Sequence, residues 1–312
     1  MKLIELKEVN KYFDSSHVLK NVNLTVEKGD LIGIIGSSGS GKTTLLNLIA
    51  GFIKPNDGEI SYYSGSTQRK MDLNKEFKTI KKYLGYASQH NSFYPGLTIK
   101  ENILHFGKLY NVQPSLLVNN AISLLKVTHL YDQRDKLANQ LSGGMKRRLD
   151  IICSLVHKPK ILILDEPAAD LDPQLREEMY EFIRQINQQN VTVILASHDL
   201  DDVEKICNKV VLIKDNQIHF SDNIKNIRQS YLKKNFTINV QVPENKDEFI
   251  SLMKTLPTKT IIDRGNYLSI EPENLNFALG KILNFVEQHN YQLHNLDIRM
   301  PKLNEIFKEI IK

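Results

Sequence analysis

The run Gly36-Ser37-Ser38-Gly39-Ser40-Gly41-Lys42-Thr43 fits the spacing G-x-x-x-x-G-K-[ST] in full. Such a stretch can hold a polyphosphate. Its glycines let the backbone curl so that N–H groups surround phosphate oxygens. Lys42 brings a point charge to the outer phosphates, and the Thr43 hydroxyl is placed to ligate Mg2+. Two acids, Asp165 and Glu166, follow the apolar run "ILIL". A strand-end carboxylate facing a phosphate loop can hold the same metal, directly or through water. Its neighbour, on the other side of an extended chain, can activate a water instead. By itself the pair reads as solvated acids closing a strand; with the upstream loop it reads as a metal and water site. His198, after "VTVILAS", can donate a hydrogen bond to a terminal phosphate. A second phosphate-type corner lies in "QLSGGMKRRLD", where Ser142, Gly143 and Gly144 open a helix-patterned run. Amides and a hydroxyl at a helix start suit an anion, and they equally make an ordinary cap.

The elements that must position these groups are legible in the pattern. "LIELKEV" alternates as a strand. "VLKNVNLTVEKGDLIGIIG" reads as a strand, a Lys-Gly-Asp turn and a buried apolar strand that runs straight into Gly36. "KTTLLNLIAGF" follows as an amphipathic helix closed by Gly51. Strand, glycine loop and helix thus come in the order a phosphate loop requires. Residues 97–156 carry mostly helical spacing. "PKILILDEP" and "NVTVILASH" are apolar, β-branched runs of the kind buried on both faces of a sheet, with a helix over 174–189 between them. This alternation predicts an α/β domain with a mostly parallel sheet covered by helices. "KVVLIKDNQIHFSD" predicts a closing hairpin around Asp215 and Asn216, and 221–234 a linker helix. The remainder, 235–312, reads as a strand in "NFTINVQV", a helix over 246–256, strands in "TIIDR" and "YLSIEP" split by Gly265 and Asn266, a helix over 274–289, a strand in "YQLHNLDIRM" and a last helix after Pro301. That β-α-β-β-α-β order is the split pattern of ferredoxin-like folds and predicts a small α+β accessory domain.

The bulk properties exclude several classes. A chain of 312 residues with 41% hydrophobic content is ordinary for a globular protein. A net charge of +5 with no dense Lys/Arg run gives no support for a nucleic-acid partner. Cys153 and Cys207 lack metal-type spacing and argue for a reduced, cytosolic setting. "MKLIELKEVNKY" is too charged for a secretory leader. No apolar run approaches the ~20 residues that cross a bilayer. Work at a membrane would therefore need a separate spanning partner. The other histidines, among them His17, His105 and His219, read as structural.

Taken in order along 1–220, these stretches resemble the nucleotide-binding domain of ABC-type ATPases. The resemblance implies a P-loop NTPase fold with a helical subdomain. It makes Gly36, Ser37, Ser38, Gly39, Ser40, Gly41, Lys42, Thr43 and Thr44 the Walker A loop. Gln89 in "YASQ" becomes the Q-loop residue that touches the metal. "LSGGM" becomes the signature, and "ILILDEP" the Walker B strand, with Asp165 on Mg2+ and Glu166 as catalytic base. "ADLD" becomes the D-loop ending at Asp172, and "SHD" supplies the switch histidine, His198. Tyr12 sits where the family stacks an aromatic on adenine, with Phe13 as a neighbouring substitute. Met145 replaces the signature glutamine, and Asp170 stands where a small residue is common. In this family two domains pair head to tail, each ATP lying between one chain's Walker A loop and the other's signature. Ser142, Gly143, Gly144 and Asp172 are therefore expected on the partner's nucleotide, which accounts for two phosphate corners in one chain. ATP and Mg2+ are the implied ligands. The implied partners are a membrane permease subunit and a second ATPase domain, as homodimer or paralogue heterodimer, at the cytoplasmic face of the cell membrane. "FYPGLTIKENILHFGKLY" resembles the region where exporter-type members touch the membrane subunit. "MPKLNEIFKEI" loosely resembles the ending of ATPase subunits for drug, bacteriocin or polysaccharide export. Export is the expectation, with import as the alternative. A soluble switch acting on ribosomes or DNA is disfavoured by the single uninterrupted domain and the lack of sustained heptads.

Overall fold

The computed structural model describes residues 1–64, 67–169, 171–227, 236–241, 246–265, 267–289 and 295–299. Two units emerge, Met1–Asn223 and Ile224–Lys312. The first begins with the long strands β1 (Lys2–Phe13) and β2 (Ser16–Glu27), then the short strand β3 (Leu31–Ile35) and helix α1 (Lys42–Ala50). Strands β4 (Asp57–Tyr63) and β5 (Lys70–Asp72), helix α2 (Phe77–Ile80) and strand β6 (Leu84–Ala87) follow. Next come helices α3 (Ile99–Leu109), α4 (Pro114–Val127) and α5 (Gly143–Leu155). The chain returns through β7 (Ile161–Asp165), α6 (Pro173–Gln188), β8 (Thr192–Ser197) and α7 (Leu200–Ile206) to a hairpin, β9 (Lys209–Lys214) and β10 (Gln217–Asn223).

One sheet has the order β10-β9-β3-β8-β7-β6. It is parallel from β9 through β6, with β10 antiparallel at the edge. Every residue of β3, β7 and β8 is buried, which is why these strands read as unbroken apolar runs rather than alternating ones. A second sheet, antiparallel and ordered β2-β1-β4-β5, was not legible as a unit in the sequence. Ile4 and Leu6 of β1, Leu24 and Val26 of β2 and Ile60 of β4 join Ile32, Ile34 and the α1 residues Leu45, Leu46 and Ile49 in one core. Helix α1 contacts β2 on one side and β7 and β8 on the other, so the helix that follows the glycine loop is clamped between sheets. Caps fix the helix starts around it. Thr98 and Glu101 form a reciprocal capping box at α3, Ser142 caps α5 and Asp172 caps α6.

The second unit runs β11 (Thr237–Gln241), a helix over Lys246–Thr255, β12 (Thr258–Asp263), β13 (Tyr267–Pro272), a helix over Leu275–Gln288, and β14 (Leu296–Arg299). Its sheet is antiparallel throughout and ordered β12-β13-β11-β14. The first strand lies centrally and the last lies beside it, as in a ferredoxin-like split β-α-β-β-α-β unit. Ile238, Val240, Phe249, Met253, Leu268, Ile270, Ile282 and Phe285 build a core of its own. Strand β10 extends to Asn223, so the first three residues expected in a linker helix are strand; 224–227 are helical. The rest of that linker, Asp170 and the helix expected after Pro301 lie outside the described residues. No described helix is long and apolar enough to cross a membrane.

Ile194 is fully buried at the middle of β8, between β3 and β7. Truncation there removes side-chain contacts on a sheet covered on both faces. Ile194→Ala should lower the unfolding free energy by about 2–5 kcal/mol, read from urea denaturation of the full chain. A loss below about 1 kcal/mol would mean that the centre of this sheet collapses around the gap.

Candidate functional site: a phosphate cradle at the carboxyl edge of the parallel sheet

Strands β3, β8, β7 and β6 end side by side. Ile35 pairs with Ser197, Ala196 with Asp165, and Leu164 with Ala87. Four chain segments therefore leave one edge together: Gly36 after β3, His198 after β8, Glu166 after β7, and Ser88 with Gln89 after β6. The carboxyl edge of an open α/β sheet is where such folds bind ligands.

The loop from β3 to α1 is built for an anion. Gly39 and Gly41 hold φ of 79° and 102°, a left-handed backbone that side chains at these points would strain. The turn delivers the start of α1, whose first N–H groups have no intrahelical acceptor. Lys42 is only 8% exposed. Its Nζ donates to the carbonyls of Gly36 at 2.8 Å and Ser37 at 3.1 Å, and among the described residues no carboxylate pairs with it. Ser40 Oγ is buried without a hydrogen-bond partner. Ser37, Ser38, Gly39 and Thr43 are exposed, and Thr44 is half-buried. A buried ammonium facing neutral carbonyls, beside an unanswered hydroxyl, fits a phosphate that would complete both.

Across the edge, Asp165 is 2% exposed and its Oδ1 has no partner. That orphaned oxygen, the exposed Thr43 hydroxyl and the exposed Gln89 amide are each oxygen donors of the kind Mg2+ takes. Glu166 corrects one expectation. The chain does not stay extended there: Glu166 has φ of 48°, and its N–H donates to the Ala196 carbonyl at 3.1 Å. The turn brings its carboxylate Oε2 to 3.0 Å from His198 Nδ1. Glu166 is largely covered while His198 is 67% exposed, so the pair presents one ring edge to the open side.

The aromatic end of the site holds two stacked rings rather than one. Tyr12, 37% exposed, pairs with His17 across the β1–β2 hairpin, and the two rings stack at 4.0 Å with 21° between planes. The hairpin register makes His17, structural by its sequence context, a backing plate for Tyr12. The same strand reaches the glycine loop, because a Cβ on Gly41 would lie 2.8 Å from Leu19 Cδ2. Phe13 is exposed beside it, with Lys11 Nζ 5.0 Å from its ring centre.

Ser142 and Gly143 are exposed at the start of α5, and Ser142 Oγ accepts from the Met145 N–H at 3.4 Å. Gly144 is buried against Leu175 of α6, where a Cβ would approach to 3.0 Å. Asp172, exposed at the start of α6, accepts from the Leu175 N–H at 3.0 Å. The signature corner and Asp172 are thus neighbours. Among the described residues no hydrogen bond or ion pair joins them to 36–44. Asp150, further along α5, was not singled out from the sequence. Burial pushes its carboxyl up to about 6, against the lowering pull of the Ser92 N–H and of Arg147.

This edge defines a nucleotide-binding α/β ATPase domain of the P-loop type. Comparison with known proteins narrows the class: residues 19–169 match the family model described as ABC transporter. The chain is 32% identical over 216 residues to the probable sulfate/thiosulfate import ATP-binding protein CysA of Chlorella vulgaris, covering 69% of this chain and 89% of that protein. It is 26% identical over 308 residues to the linearmycin resistance ATP-binding protein LnrL of Bacillus subtilis (strain 168), covering 98% of this chain and 97% of that one. A solved structure described as a dimeric post-hydrolysis state of the ATP-binding cassette MJ0796 bound to ADP and Pi superposes with a TM-score of 0.61. It is 28% identical and covers 71% of this chain and 99% of that one. The chain belongs to the ABC transporter family, as an ATP-binding subunit with ATPase activity.

The raised Asp150 carboxyl has a consequence for stability. The folded chain keeps this proton between about pH 6 and 3.8, where the unfolded chain has released it. Stability from this group therefore rises as pH falls through that window. The shift spans about two pH units, worth about 1.4 kcal/mol each. From pH 7 to pH 4 the wild type should gain about 2–3 kcal/mol relative to Asp150→Asn in chemical denaturation. Parallel pH curves for the two chains would show that Asp150 titrates normally.

Proposed function

We propose that this chain powers export of a substrate of the drug, peptide or polysaccharide class through a separate membrane permease. It would work at the cytoplasmic face of the membrane, paired with a second ATPase chain. The observation that carries this reading is the match to LnrL, a protein named for resistance, which runs through both units and nearly the whole of each chain. The import reading draws on the higher identity to CysA, but that match covers only 69% of this chain.

In this reading Tyr12, backed by His17, offers its free face to adenine. The amides of 36–44 and Lys42 hold the phosphates. Thr43, Gln89 and Asp165 would hold Mg2+, which when bound would supply positive charge against the transferred phosphoryl group. Glu166 takes the proton of the attacking water, its carboxylate oriented by His198 at 3.0 Å. Ser142, Gly143, Gly144 and Asp172 close over the nucleotide of the partner chain. Catalysis is then positioning and charge stabilisation, and the closed pair forms because it binds ATP better than the open one does.

Glu166→Gln tests the core of this scheme. ATP affinity should stay within about threefold, while turnover falls by at least about 100-fold and ATP alone traps a dimer in sedimentation velocity. Brisk hydrolysis by that chain would remove Glu166 from the role of base. For the partner, affinity purification of the full chain from detergent-solubilised membranes should recover a polytopic membrane protein. Recovery of ribosomes alone would overturn the transport assignment.

A further inference from the structure

One buried guanidinium ties the signature helix to two of the catalytic loops. Arg147 lies on α5, five residues after Ser142, and is 6% exposed. Its Nη2 donates to the Asp165 carbonyl at 2.7 Å, its Nε to the Pro167 carbonyl at 3.1 Å, and its Nη1 to the Ser88 carbonyl at 2.5 Å. The first two carbonyls flank Glu166, and the third immediately precedes Gln89. Asp150, nearly one turn further along α5 and 2% exposed, stands 3.4 Å from Nη1 and accepts the Ser92 N–H at 2.7 Å. The segment carrying Gln89 is therefore held at two points, by Arg147 and by Asp150. With its charge answered by Asp150, the guanidinium spends its rigid fork of N–H groups on backbone carbonyls. A lysine ammonium, a point charge with freely rotating donors, cannot match those fixed directions.

We propose that Arg147 is a positioning residue. It sets Gln89 and Glu166 in working geometry within its own chain and uses the signature helix as the common frame. Resting on the two-chain reading above, this means that seating Ser142 and Gly144 on a partner's nucleotide is felt at this chain's own Glu166. The path is one helix and one side chain long. It also gives a use to the "KRRL" run after the signature, which the catalytic scheme leaves unassigned.

Removing one member of a buried pair leaves the other charge uncompensated. The test therefore uses the double variant Arg147→Gln with Asp150→Asn, and Arg147→Lys as a second variant that keeps the charge opposite Asp150. In the full chain, affinity for a fluorescent ATP analogue should stay within about threefold, because 36–44 are untouched. Combined with Glu166→Gln, each variant should still dimerise on ATP. With Glu166 intact, kcat should fall by about 10- to 100-fold with little change in KM, the scale expected when a catalytic group is displaced by about 1 Å. A kcat within about twofold of wild type overturns the proposal. So does a loss of kcat accompanied by loss of ATP-driven dimerisation, which would make Arg147 a prop for the signature corner only. Should Glu166→Gln with Arg147 intact stay monomeric on ATP, the two-chain reading falls, and the kcat ratio alone then decides the part of Arg147.

Discussion

The site turns on one charge, the ammonium of Lys42. Nearly all of its surface is removed from water, and its partners are two neutral carbonyls of its own loop. Burying a cation without a counter-ion is costly. The nearby edge offers a buried carboxylate, Asp165, whose Oδ1 is also unanswered. The two do not pair with each other. Opposite charges held at one sheet edge, with β8 between their strands, leave the ammonium open to a polyphosphate. The fold supports this tension because β3 is wholly buried and α1 is clamped between two sheets. Cohesive packing around the loop offsets a locally unfavourable arrangement.

Parallel register converts that packing into chemistry. Asp165 stands opposite Ala196 and Ile35 opposite Ser197, so the segments carrying Lys42, His198 and Glu166 emerge from three successive strands, β3, β8 and β7, at one edge. A slip of one residue in β7 would move Asp165 to the opposite face of the sheet. The unbroken apolar runs that make β3, β7 and β8 indifferent to face are thus punctuated by residues that are not. The helix caps obey the same economy. Ser142 and Asp172 start α5 and α6 and remain exposed at their tips, so the residues that fix those corners are the ones offered outward.

Much of this was legible. The glycine loop with its flanking strand and helix, the strands ending in Asp165 and before His198, and the order of the tail unit all follow from apolar runs and turn residues. The antiparallel sheet β2-β1-β4-β5 was not legible as a sheet. Its bulges break the alternation of β1, where Glu8 takes φ of 50°, and β5 is only three residues long. The backbone turn at Glu166 is a tertiary effect, set by its hydrogen bond to Ala196 in the next strand. His17 becomes a partner of Tyr12 only through hairpin register. Arg147 sits between two other cations, Lys146 and Arg148, with no local pattern that marks it as buried; it is buried because carbonyls from three places converge on it.

The tail unit carries a different kind of argument. Ile238, Val240, Leu268 and Ile270 face its helices, while Asn239 and Ser269 alternate to the other side and hydrogen-bond at 2.7 Å. One apolar face covered by two helices forms a core within the unit itself. The chemistry follows from charges at the sheet edge of Met1–Asn223. The likeness to LnrL continues through Ile224–Lys312. Residues that position the phosphate cradle all lie in Met1–Asn223.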